Sequence, residues 1–216
     1  MGRDDIPPFL GTAGYHPAPQ KTMNIRRFRE FYRRRLPHIQ VAGATYFVTF
    51  RLKNSLPIEA LEKLKREADL EQNRWFEKFD DYLDKVLCGE HYLINPQIAN
   101  VIVEAIHYRN RKVYDLISFC IMPNHVHLII TPLEKEGGIF YNLTEILHSL
   151  KRHTARQSNL ILNQSGAFWQ DESYDHILRD EAELERTIKY VLYNPVKANL
   201  VKEQQDWKWS YCKYDM

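Results

Sequence analysis

Four residues of this chain have the types and spacing of a metal-assisted reaction at phosphorus. His125 and His127 stand one residue apart in Met122-Pro123-Asn124-His125-Val126-His127-Leu128-Ile129-Ile130. In a strand, that alternation puts both imidazoles on one face, about 6 to 7 Å apart along the chain, and leaves Val126, Leu128 and Ile130 on the other. Two neutral imidazoles so placed can share a divalent ion if a third ligand arrives from elsewhere. Tyr190 and Asn194, four apart in a helical pattern, project from one flank beside its apolar stripe. Two imidazoles and a carboxamide oxygen leave positions on the ion for the non-bridging oxygens of a phosphodiester, making phosphorus more electrophilic. A tyrosine held there can attack in line, leaving a phosphotyrosine link and a free hydroxyl on the other fragment. A phenol ordinarily ionises near pH 10, so the ion or a basic neighbour must assist, and the sequence names no general base. Tyr193, the competing tyrosine, falls nearly opposite the buried stripe and about 100° from Asn194 around the axis. Each residue also has a plainer reading. His-x-His occurs in cores and zinc sites, a tyrosine often edges a core, and Asn before Pro ends helices.

These residues need a sheet and a helix to position them. Residues 45–52, Thr-Tyr-Phe-Val-Thr-Phe-Arg-Leu, are rich in β-branched and aromatic types and read as a largely buried strand after a turn at Gly43. From Pro57, Leu61, Leu64 and Ala68 give an amphipathic helical spacing, followed by a charged stretch with Trp75, Phe76, Phe79, Tyr82 and Leu83. After a break over 89–95, Pro96 opens another helix with Ile98, Val101, Ile102, Ala105 and Ile106 on one side. Residues 113–121 and 125–131 are strand-like runs joined by Met122-Pro123-Asn124, an antiparallel hairpin that delivers the histidines at the start of its second strand. A helix over 143–159 turns Ile146, Leu147 and Leu150 inward, and an extended segment follows at 174–179. There Asp175 and His176 alternate, either able to orient a ligand from behind. Asp180 with Glu183 predicts the cap of a last helix, striped by Leu184, Ile188, Val191 and Leu192, running to about Tyr193 and stopping before Pro195.

The 216 residues, 44% hydrophobic and 27% charged, suit one principal domain. An unstructured arm over 1–24, carrying Pro7, Pro8, Pro17 and Pro19, and a tail over 213–216 flank it. No apolar run approaches a membrane span and the N-terminus lacks the apolar core of a signal peptide, so a cytoplasmic protein with no membrane partner is expected. Cys88, Cys120 and Cys212 lack any C-x-x-C spacing and are expected to be reduced thiols. The net charge of +2 is small, yet Arg26, Arg27, Arg29, Arg33, Arg34 and Arg35 crowd together with Phe28, Phe31 and Tyr32 between them. Lys151, Arg152, His153 and Arg156 form a second cluster. Arginine and aromatics at this density suit phosphate contacts and base stacking, or else a solvated basic arm.

Met122 to His127, the basic helix, Phe168-Trp169-Gln170, residues 174–180 and Tyr190-Val191-Leu192-Tyr193-Asn194-Pro195-Val196-Lys197-Ala198-Asn199-Leu200-Val201 together resemble the single-tyrosine HUH (IS200-like) transposases, and among them the REP-associated tyrosine transposase branch. Arg33 to His38 and Tyr46 to Leu52 extend the resemblance over roughly residues 25 to 212, which it implies to be a single domain with a helical insertion at about 55–110. The resemblance implies an α+β fold, a ferredoxin-like or RRM-like antiparallel sheet flanked by helices. It implies cleavage and rejoining of single-stranded DNA at or near palindromic hairpins through a 5′-phosphotyrosine, with Mg²⁺ or Mn²⁺. By motif, Tyr190 matches the nucleophile and His125, His127 and Asn194 the metal ligands, although insertion-sequence relatives commonly place glutamine third. Arg26, Arg27, Arg33, Arg34, Arg35, Lys151, Arg152 and Arg179 are the expected DNA contacts, with Asp175 and His176 behind the ligands. A bacterial protein, nucleoid-associated when on DNA and acting as a monomer or homodimer, is expected. Two other readings remain open: a domesticated hairpin-binding protein that moves no DNA, and a metal-dependent phosphodiesterase that uses water.

Overall fold

A computed structural model describes residues 29–33, 37–56, 83 and 90–214, with 29–40 described by their backbone. β1 (Arg29–Arg33) and β2 (Pro37–Val41) form an antiparallel pair of their own. The main sheet has five antiparallel strands in the order β6-β3-β5-β4-β7: β3 (Thr45–Arg51), β4 (Tyr114–Ile121), β5 (His125–Pro132), β6 (Tyr174–Leu178) and β7 (Ser210–Cys212). Among the described residues three long α-helices accompany it: α1 (Pro96–Arg109), α2 (Leu143–Ile161) and α3 (Glu181–Lys197). From β3 to β6 the described elements run β-α-β-β-α-β with the first and third strands central, which is the ferredoxin-like arrangement. The α+β expectation therefore holds, with α3 and β7 added to that frame.

The central strands are apolar on both faces because both faces are covered. Tyr46, Val48, Phe50, Leu52, Val126, Leu128 and Ile130 pack with Ile98, Ile102 and Ile106 of α1 and Ile146, Leu147 and Leu150 of α2. Phe47, Ile117, Cys120 and Ile129, on the opposite face, pack with Ile188, Val191 and Leu192 of α3. Each such side chain contributes about 1.5–3 kcal/mol when buried, so several kilocalories hold α3 against the sheet before entropy is counted. A register shift between Leu116 and Ser118 of β4 accommodates the bulge.

The helix starts are set by side chains of the expected kind. Asn95 and Asn142 cap α1 and α2, and Pro96 occupies the first position of α1. At α3, the Glu183 N–H donates to Asp180 Oδ1 at 2.8 Å while the Arg179 N–H donates to Glu183 Oε2 at 2.7 Å, a reciprocal capping box.

The end of α3 corrects the sequence reading: Pro195 lies inside the helix, which continues to Lys197. Proline lacks an N–H, but within the last turn the helix forfeits only one interior bond. The terminator is Asn199, left-handed at φ 56°. Asn199 N–H donates to Val196 O and Leu200 N–H to Pro195 O, both at 2.9 Å, closing a Schellman turn. Strands β1, β2 and β7 were not foreseen, and α2 runs two residues beyond the expected end. The arm expected over 1–24 and most of the helical stretch expected over 55–110 lie outside the described residues, as does Cys88. Among the described residues Cys120 and Cys212 form no disulfide. Among the described residues no helix is long and apolar enough to cross a membrane.

Candidate active site

His125 and His127 begin β5 because Pro123 and Asn124 turn the chain tightly between β4 and β5, with the Met122 N–H donating to the His125 carbonyl at 2.8 Å. Strand alternation turns both rings toward α3, beneath the residues that α3 contributes near its end. His125, His127 and Asn194 are all fully buried. The two Nε2 atoms stand 3.0 Å apart, and the Asn194 carboxamide Nδ2 stands 3.0 Å from His127 Nε2. The rings thus come far closer than strand spacing alone gives, because they lean toward one point.

The far sides of both rings are fixed. His125 Nδ1 lies 2.7 Å from Asn124 Oδ1, an oxygen that only accepts, so the proton of the neutral ring sits on Nδ1 and Nε2 offers a lone pair. His127 Nδ1 lies 2.9 Å from Thr49 Oγ1, directly across the strand pair. Burial pushes His125 down from 6.5 to about 3. His127 is pushed well below its ordinary value, first by burial and then by the charges of His125 and Lys197. Both rings are therefore neutral, the form that binds metal.

Asn194 Oδ1 is buried and has no hydrogen-bond partner. Turning the amide about its last bond would exchange Oδ1 and Nδ2, bringing that oxygen to the point where the two imidazoles meet. A proton there bridges only two of the three groups. A divalent cation takes a lone pair from each, and bonds of about 2.1 Å at right angles separate neighbouring donors by about 3.0 Å, the spacing seen here. The donor set therefore fits an ion such as Mg²⁺ or Mn²⁺. Among the described residues no third His, Cys, Asp or Glu joins the pair, and the carboxamide that meets it is that of Asn194.

Tyr190 is one turn before Asn194 on α3, its ring edge-on to His127 at 6.0 Å between centroids and to Phe47 at 6.3 Å. The Lys197 ammonium stands 5.5 Å from the Tyr190 ring centroid. Tyr193, by contrast, is 56% exposed, so the helix separates the two tyrosines as its periodicity requires. Sequence reasoning overlooked Lys197, seven residues after Tyr190 and on the same face two turns later. It also overlooked Thr49 and Asn124, although Asn124 adjoins His125 and Thr49 follows the alternation of its strand.

Other expected site residues lie elsewhere. His176 Nε2 meets Glu183 Oε1 at 2.8 Å and so fastens β6 to the first turn of α3, in place of the expected position behind the ligands. Asp175 pairs in register with Val48, on the sheet face turned from the histidines, because strand alternation separates it from His176. Lys151 donates to the carbonyls of Gln170 and Asp171 and to Ser173 Oγ at 2.6, 2.8 and 3.2 Å, tying α2 to the segment before β6. Arg152 and Arg179 are exposed. Arg33 ends β1, while Arg26, Arg27, Arg34 and Arg35 lie outside the described residues.

The family model described as "Transposase IS200 like" matches residues 85–194, half of the chain and a span that holds all four convergent residues. The chain belongs to the IS200-like transposase family. Within that family it is similar to a protein of Haemophilus influenzae assigned as a REP-associated tyrosine transposase, 28% identical over 108 residues, covering 48% of this chain and 61% of that one. A REP-associated tyrosine transposase of Escherichia coli K12 is 24% identical over 103 residues, covering 48% and 57%. The matches thus span about three fifths of these relatives' length. In fold, this IS200-like chain is similar to a solved REP-associated tyrosine transposase bound to a REP hairpin, with a TM-score of 0.50, 19% identity, and coverage of 83% of this chain and 80% of the other.

Proposed function

We propose that this IS200-like transposase binds hairpin DNA and, with Mg²⁺ or Mn²⁺, cleaves and rejoins single strands at or near the hairpin through a 5′-phosphotyrosine on Tyr190. The observation that carries this reading is the meeting of His125 Nε2, His127 Nε2 and the Asn194 carboxamide, with the Tyr190 ring beside His127. A water-using phosphodiesterase has no need of a tyrosine at that place. The names of its relatives and the hairpin held by the similar solved structure support the choice of DNA.

The chain's own groups divide the work. His125, His127 and Asn194 would hold the ion, oriented by Asn124 and Thr49, and two imidazoles favour Mn²⁺ more than an all-oxygen site would. When bound, the ion supplies Lewis acidity at the non-bridging oxygens of the phosphodiester. Tyr190 Oη attacks phosphorus, the bond from phosphorus to the 3′-oxygen breaks, and that oxygen leaves as a 3′-hydroxyl. The Lys197 ammonium favours the phenolate by its charge. Rejoining is the reverse attack by a 3′-hydroxyl on the phosphotyrosine. All these residues come from one chain, so one copy suffices to assemble the site. Because the ligands are fully buried, what packs over them must shift to admit DNA.

The test is incubation of the protein with end-labelled hairpin DNA carrying single-stranded flanks, in Mn²⁺ and in EDTA. A labelled covalent adduct that requires Mn²⁺ and is absent from Tyr190→Phe is expected. Turnover without adduct would replace the tyrosine by water, and binding without cleavage would reduce the protein to a hairpin-binding module.

A further inference from the structure

Arg51 is the last residue of β3 and pairs in register with His125. Residues directly opposite in an antiparallel pair project to the same side, so Arg51 shares the face of His125 and His127. It is 6% exposed. Its Nη1 donates to Ser55 Oγ at 3.1 Å, and Ser55 gives its own proton to the Leu52 carbonyl. Among the described residues that is the guanidinium's one hydrogen bond, and no carboxylate lies within ion-pair distance of it. Glu172 acts on it only through space.

A guanidinium has five N–H donors and stays charged. Burying one without a matching anion is costly, and cations with a purely structural role are served more fully. Lys151 shows how this fold does so, surrounding its ammonium with three oxygens. Arg51 instead keeps most of its fork unspent, on the face where two imidazoles and a carboxamide meet. An anion with paired oxygens would complete it, and a phosphodiester is such an anion.

We propose that Arg51 is a binding residue for DNA, its guanidinium taking non-bridging oxygens of the backbone phosphate brought to His125, His127 and Asn194. This rests on the nicking-site reading and extends it to a residue outside the ligand set. A planar fork matches two phosphate oxygens at once, which a lysine ammonium cannot do, and it opposes the charge that gathers on those oxygens during transfer.

Thymidylyl-thymidine, which carries one phosphodiester, and its neutral methylphosphonate analogue test this without requiring cleavage or a known hairpin. NMR titration of the full chain should show the wild type preferring the charged dinucleotide about tenfold or more, the discrimination typical of a charge-assisted contact. Arg51→Gln should lose that preference, Arg51→Lys should keep part of it, and a control at the exposed Lys112, which packs over the Tyr108 ring, Lys112→Gln, should keep all of it. The ¹⁵Nε signal of Arg51 in the wild type should shift with the phosphodiester and stay put with the analogue, a readout that needs no variant to fold. An unshifted signal, an undiminished preference in folded Arg51→Gln, or no preference in the wild type overturns the proposal. A positive result beside a failed adduct assay would retain the phosphate site and remove the nicking chemistry. The opposite pair of results would remove Arg51 alone.

Discussion

Acid should destabilise this protein in a window set by its buried histidines. An unfolded His125 takes up a proton near pH 6.5, whereas the folded one resists until about pH 3. Below pH 6.5 the unfolded chain therefore binds a proton that the folded chain does not, and stability falls with pH down to the folded value. At pH 5 the gap is about 1.5 pH units, or about 2 kcal/mol from His125, and His127 acts in the same direction. Carboxylates released from partners, such as Glu183, act mainly below pH 5, which separates the two effects. Urea unfolding in EDTA at pH 8, 6.5 and 5 measures the loss, with His125→Gln as the control that removes one share of it. Equal stability at pH 8 and 5, or an unchanged slope in a folded His125→Gln variant, would refute a buried neutral pair. Mn²⁺ should stabilise the wild type at pH 8 and progressively less toward pH 5, because protons compete for the same lone pairs.

Replacing Asn124 with Ala leaves His125 Nδ1 and the Leu83 carbonyl, which Asn124 Nδ2 serves at 3.1 Å, without these partners. A loss of about 2–4 kcal/mol in unfolding and about 10–100-fold in Mn²⁺ affinity is expected from denaturation and calorimetry. Lys151→Ala should lower thermal stability by about 1–3 kcal/mol. Arg152→Ala should leave stability unchanged, and a DNA contact there would lower the salt slope of hairpin binding by about 1. Asn199→Gly should be tolerated and Asn199→Ala should cost about 1 kcal/mol in melts, because alanine resists the left-handed turn that ends α3.

The sequence carried the elements and the meeting of the site's two halves better than their exact ends. Alternation in β5 and the 3.6-residue period of α3 placed His125, His127, Tyr190 and Asn194 on facing surfaces, and they do face one another. Periodicity is a local signal, and these residues follow it. Pro195 misled because a proline's local rule is to break helices, while the actual stop depends on the Schellman turn at Asn199. β7 has three residues and pairs only with β4, too short to show alternation. Thr49 and Arg51 acquire meaning only from strand register, which pairs them with His127 and His125 across more than seventy residues of chain. The tie that Lys151 makes is likewise invisible in sequence, because the oxygens it donates to belong to a loop about twenty residues away.

The most direct measurement locates the covalent bond itself. After reaction with hairpin DNA and Mn²⁺, nuclease digestion and tryptic cleavage, fragmentation mass spectrometry of the peptide from Tyr190 to Lys197 can separate Tyr190 from Tyr193. A residual nucleotide attached through its 5′-phosphate to Tyr190, and missing when His127 is replaced by Ala in a folded variant, is the predicted result. Attachment to Tyr193, or cleaved DNA with no nucleotide on the peptide, would contradict the site described here.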